Sequence, residues 1–171
     1  MIRPGVRLGV DVGEARVGLA ACDPGALIAT PVQTLTRDRE TLADIGAIVA
    51  EAHDRAVIEV IVGLPRSLSG AEGPAAVHAR EYAHALHQAL SGTPVRLWDE
   101  RLTTIDAHRG LRASGVPGRK HRESVDQVAA MLILQGALDA ERTSGAPAGE
   151  VISRRKPRHT RTTQHTEGRQ S

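Results

Sequence analysis

Aromatic side chains are almost missing from this 171-residue chain: Trp98 and Tyr82 are the whole set, and phenylalanine is absent. The core must therefore be assembled from Val, Leu, Ile and Ala, and a base-stacking platform of several exposed rings is excluded. Cysteine is as scarce. The single Cys22 rules out an internal disulfide and a cysteine-rich zinc site. No apolar run approaches the roughly 20 residues of a membrane span, and the N-terminus lacks the apolar stretch of a signal peptide. The expectation is a cytoplasmic protein with no membrane partner. Neither a phosphate-binding P-loop nor a GxGxxG fingerprint is present.

What is there is 40% apolar, enough in a chain of this length to bury one sizeable core. The formal charge of +2 hides an asymmetry. Residues 151–171 carry six Lys or Arg against one Glu, whereas residues 1–150 carry 16 basic and 19 acidic side chains. The high isoelectric point thus describes the end of the chain and not its body. Residues 1–142 read as one folded domain, and 143–171 as a basic tail without fixed structure, with Arg154-Arg-Lys-Pro-Arg158 as a nonspecific nucleic-acid-binding arm or a solubilising extension.

Residues 6–12 alternate cleanly, with Val6, Leu8, Val10 and Val12 on one face, and predict a strand that Gly13 breaks. A second strand over 17–22 is close enough to return as a hairpin. A third over 26–35 contains Pro31, which favours a sheet edge because proline cannot donate to the ladder. Leu42, Ile45, Ile48, Val49 and Ala52 mark a helical stripe. Residues 57–64 form an apolar run interrupted only by Glu59, suited to a strand covered on both faces. Ala76, Ala79, Ala83, Leu86 and Leu90 step along a second helix, 95–100 form a fifth strand and 103–113 a short helix. A basic loop then occupies 114–122, and a last helix spans 125–141. The order β-β-β-α-β-α-β-α-α predicts an α/β fold: a mixed five-stranded sheet, antiparallel at first, with helices on its faces.

Three places carry acids that invite chemistry. Asp11 lies near the end of the first strand, on the side of Arg7 and Gly9, where a carboxylate is costly unless compensated. A strand-end turn into Gly13 would explain it equally well. Asp99-Glu100-Arg101 closes the fifth strand. Successive side chains point to opposite faces, so only one of the two acids can share a site with Asp11, and periodicity does not say which. Asp126 follows Ser124 in a stretch that matches a capping box with Gln127, so helix stability alone accounts for it. Brought together, three carboxylates would repel one another and suit a hard divalent cation.

The combination of Asp11-Val-Gly-Glu-Ala-Arg-Val-Gly-Leu-Ala20, Val62-Gly-Leu-Pro65, Asp99-Glu-Arg-Leu-Thr-Thr104, Lys120, Asp126-Gln-Val-Ala-Ala130 and Leu132-Ile-Leu-Gln135 resembles the YqgF family, also called RuvX. The match runs from about Val6 to Leu138, and its strength lies in the order and spacing of several motifs. The resemblance implies a ribonuclease H-like fold and a metal-dependent nuclease, with Mg²⁺ or Mn²⁺ held by the catalytic acids Asp11, Glu100 and Asp126. It thereby chooses Glu100 over Asp99. Arg16, Arg101 and Lys120 match family positions and read as phosphate-facing. Arg119 and Arg122, in the basic loop beside Asp126, are further nucleic-acid candidates, although ion pairing or solvation would explain each of these residues as well. The implied partners are nucleic acids, either pre-16S rRNA cleaved at its 5′ end, with ribosomal particles nearby, or four-way DNA. The protein would act as a monomer or a homodimer. A non-catalytic assembly factor on the same fold is the alternative of a different class. One departure stands out: after Gly-Leu-Pro the family often carries an apolar residue and an acidic one before the next glycine, whereas Arg66-Ser-Leu-Ser-Gly70 supplies a basic residue and no acid.

Other constellations are weaker. Asp11 to Gly18 is also similar to the first phosphate loop of actin-like ATPases, but the chain is too short for their two domains. His78, His84 and His87 share a helix and read as a solvated face, and His108, soon after Glu100 in the sequence, is assigned no role.

Overall fold

The computed structural model describes residues 1–103 and 119–153, with side chains described from 122 in the second span. The chain forms strands β1 (Arg7–Val12), β2 (Arg16–Cys22), β3 (Ala29–Thr36), β4 (Glu59–Leu64), β5 (Val95–Asp99) and β6 (Glu150–Val151), with helices α1 (Ala43–Asp54), α2 (Pro74–Leu90) and α3 (Arg119–Ser144). The strand order is β3-β2-β1-β4-β5-β6. β1 to β3 make an antiparallel meander, β4 and β5 run parallel to β1, and β6 returns antiparallel along β5. The expected mixed sheet is present, with six strands and not five.

Alternation along the strands sorts side chains between two cores. Leu8, Val10, Val60 and Val62 face α1 and α2, where Ile48, Ala79 and Leu86 meet them. Ile61, Trp98 and Ala20 face α3, against Ala130, Ile133 and Leu134. With aromatic rings so few, packing depends on small side chains that let the layers approach. β3 is an edge strand, as Pro31 requires, and the ladder shifts register between Leu19 and Ala20 beside that proline. α2 opens on Pro74, whose missing N–H costs nothing in a first helical turn.

Two expectations need correction. α3 begins at Arg119 and not near Val125, so Ser124 lies well inside it and the Ser124/Gln127 capping box does not exist. The first turn holds no acidic residue, and Asp126 therefore gains nothing from the helix dipole there. β6 was not expected. It comes from the stretch read as a loose extension, and the next residue, Ile152, is buried in the α1/α2 core.

On the α3 side, at the start of the parallel strands, lies a buried charge cluster. Arg7 is 1% exposed and pairs with Glu141 at 3.2 Å, while Glu59 accepts from Arg96 at 2.9 Å and Arg3 bridges both acids. It explains the lone charge in β4: a buried carboxylate persists where cations meet it. The cluster ties the N-terminus, the sheet and the end of α3 together, at the far end of β1 from Asp11.

Of the expected features, the helix at 103–113 from Thr104 on, loop residues 114–118, His108 and residues 154–171 lie outside the described residues, as do the side chains of Arg119 and Lys120.

Candidate active site

β1 and β2 are joined by a tight turn in which the Gly13 N–H donates to the Arg16 carbonyl at 2.9 Å. The hairpin register sets Asp11 opposite Gly18. A side chain at Gly18 would run into the backbone carbonyl of Asp126, so the bare glycine is what lets α3 settle on the strand beside Asp11. β3 holds that end of the helix down. The Thr34 hydroxyl donates to the Glu123 carbonyl at 2.8 Å, and the Gln127 amide donates to the same hydroxyl at 3.3 Å.

A second glycine opens the other flank. Gly63, on β4 next to β1, leaves a space in which a Cβ would come within 2.5 Å of the Glu100 carboxylate and would also strike Ile133. Glu100 reaches this space because β5 ends at Asp99 and the chain tightens into a 3₁₀ turn over Glu100–Leu102. Asp99 caps that turn. Its carboxylate accepts from the Arg101 backbone N–H at 3.0 Å and from the Arg101 guanidinium at 2.7 Å, and Arg101 holds it below the ordinary carboxylate range. The two neighbouring acids thus have separate roles, and it is Glu100 that stands with Asp11.

The electrostatics follows from this placement. Burial, then the charges of Glu100 and Asp126, push the Asp11 carboxyl up from 3.8 to about 7. Glu100 is raised as well, by burial first and then by Asp99. Asp126 turns its Oδ2 to the Arg16 Nε at 2.8 Å. Among the described residues, no three His, Cys, Asp or Glu side chains already stand together as a ligand set for an ion. The donor chemistry nevertheless fits a hard divalent cation: β1, the turn after β5 and α3 each supply a carboxylate, and burial with the charges of the other two opposes ionisation of Asp11.

The basic candidates fare differently. Arg16 lines the site through Asp126, Arg101 is half-exposed and folded back on Asp99, and Arg122 is exposed on α3. Arg66 pairs with Glu72 at 3.4 Å and approaches Asp99 at 4.0 Å. Sequence reasoning overlooked Gly18 and Gly63. Their signal was available, since each is a glycine inside a strand on the face that carries an acid.

The family described as "RuvX: Holliday junction resolvase" matches residues 5–140. A protein of Kineococcus radiotolerans, named "Putative pre-16S rRNA nuclease", is 54% identical over 162 residues, covering 92% of this chain and 86% of its own. A Nocardioides protein of the same name is 53% identical over 153 residues, covering 88% and 98%. Among solved structures, RuvC of T. thermophilus in complex with a Holliday junction substrate superposes with a TM-score of 0.54 at 17% identity, covering 84% of this chain and 99% of its own. That likeness shows the fold, which is ribonuclease H-like.

Proposed function

The chain belongs to the RuvX family, and from that premise we propose that it is a metal-dependent endonuclease that trims the 5′ end of pre-16S rRNA, with Asp11, Glu100 and Asp126 as its catalytic acids. It is a hydrolase of nucleic-acid phosphodiester bonds. The observation that carries the site assignment is the raised Asp11 carboxyl, flanked by Glu100 and Asp126 through spaces left by Gly63 and Gly18. A desolvated carboxyl with two further acids at its sides suits a metal-assisted phosphoryl site.

A divalent cation, Mg²⁺ or Mn²⁺, would be held by these three carboxylates and would supply an activated water and charge for the reacting phosphate. The residues do the rest. Asp11, on the interior strand β1, would anchor the ion from the floor of the site. Glu100 and Asp126 complete the carboxylate set from either side. Arg16, Arg101, Arg119, Lys120 and Arg122 hold the backbone of the nucleic acid, an attraction that weakens as salt rises. Phosphate contacts of this sort position a strand without reading its bases.

A second reading is resolution of four-way DNA, favoured by the family's own description and requiring no change in the chemistry. Cleavage of precursor rRNA and of a four-way junction, measured side by side with Asp11→Asn, Glu100→Gln and Asp126→Asn, separates the two. Preference for rRNA supports the first, and preference for the junction the second. Equal activity of wild type and the acid variants would refute the site.

A further inference from the structure

Among the described residues, Arg16 is the one cation paired with any of the three acids. Its guanidinium meets Asp126 through Nε alone, at 2.8 Å, so no fork-to-fork bond locks the two together. The pair is also wet: the Arg16 side chain is 34% exposed and that of Asp126 20%, against 1% and 4% for the buried Arg7–Glu141 pair. Such a half-exposed pair is weak enough to be exchanged. Its place matters as much. Arg16 starts β2 just past the turn, so its guanidinium stands at the rim of the carboxylate cluster, where a nucleic-acid backbone would run.

We propose that Arg16 stands in for the divalent cation. It neutralises Asp126 while no ion is bound, yields that carboxylate to the ion, and then turns its guanidinium to a phosphate of the nucleic acid. This rests on the metal-site reading above. One side chain thereby couples the two binding events. Without the ion, Arg16 is engaged and contributes little to the nucleic acid. With the ion, Asp126 is taken and the freed cation adds a phosphate contact. The same exchange accounts for why the three acids do not already stand as a ligand set: Asp126 is directed at Arg16.

Two measurements on the full chain test this. Mg²⁺ titrated into protein labelled with ¹⁵N-arginine should shift the Arg16 Nε–H resonance, saturating at the concentration at which calorimetric binding heat saturates. In Asp126→Asn the resonance should start near the shifted position. Arg16→Gln should bind Mg²⁺ roughly two- to fivefold more tightly, since the competitor is gone. It should also lose about one unit of salt slope in nucleic-acid binding, and only when Mg²⁺ is present. A stationary Arg16 resonance, or unchanged Mg²⁺ affinity in Arg16→Gln, while Asp126→Asn still loses Mg²⁺ binding, would overturn the exchange and leave the metal site standing. Mg²⁺ binding that survives Asp11→Asn, Glu100→Gln and Asp126→Asn alike would overturn both.

Discussion

Asp11→Asn should make the metal-free protein more stable while removing its activity, and the gain should grow with pH. In the folded chain the Asp11 carboxyl is raised from 3.8 to about 7. At pH 3 folded and unfolded states both hold the proton, and the wild type is at no disadvantage. Between pH 3.8 and about 7 the unfolded chain ionises first, so wild-type stability falls as pH rises, and above pH 7 the deficit is complete. Three units at 1.36 kcal/mol each set an upper bound of about 4 kcal/mol. Asp11 retains some contact with solvent, which reduces the realised figure to about 1–3 kcal/mol. Asparagine has nearly the same shape and does not titrate. Thermal unfolding in a chelator should therefore show Tm values that nearly coincide at pH 4 and diverge to roughly 3–10 °C in favour of the variant at pH 8. Adding Mn²⁺ should raise the wild type, by about 2.7 kcal/mol at a hundredfold excess over Kd, and leave the variant unmoved. A Tm difference that is flat with pH, or a variant less stable at pH 8, would refute the reasoning.

Other perturbations read other parts of the account. Glu100→Gln should lower cleavage by roughly a hundredfold or more, whereas Asp99→Asn should cost only a few-fold, because Asp99 caps the turn and faces Arg101; comparison of initial rates checks this. Gly18→Ala should destabilise by about 2–3 kcal/mol in urea unfolding, since its Cβ would meet the Asp126 carbonyl. Glu141→Leu should cost about 3–5 kcal/mol by leaving the buried Arg7 unpaired, with cleavage by the folded fraction unchanged because the cluster lies at the other end of β1. Removing residues 154–171, with six Lys or Arg, should weaken RNA binding at low salt and flatten the salt slope; an unchanged slope would leave those residues without a binding role.

Period-two alternation made β1 readable before any coordinates, and with it the side of the sheet on which Asp11 sits. Pro31 marked the edge strand for the same local reason, a missing donor. The choice between Asp99 and Glu100 was not available from alternation, because Glu100 lies past the strand end and a 3₁₀ turn resets its direction. The resemblance chose Glu100, whose carboxylate lies in the space that Gly63 leaves on β4. Ser124 and Gln127 misled because a capping pattern is a local signature, and the residues before it continue the helix. β6 is two residues long and has no periodicity to detect. Gly18 and Gly63 went unremarked because a glycine in a strand announces a close approach without naming what approaches.

Asp11, Glu100 and Asp126 would hold a divalent ion at the phosphodiester to be cleaved. Single-turnover cleavage of precursor 16S rRNA over a Mn²⁺ titration, for wild type and Asp11→Asn, tests this most directly. The rate should saturate with Mn²⁺ in the wild type and fall at least roughly a hundredfold in the variant at every concentration. Equal rates in the two proteins, or wild-type cleavage undiminished by a chelator, would contradict it.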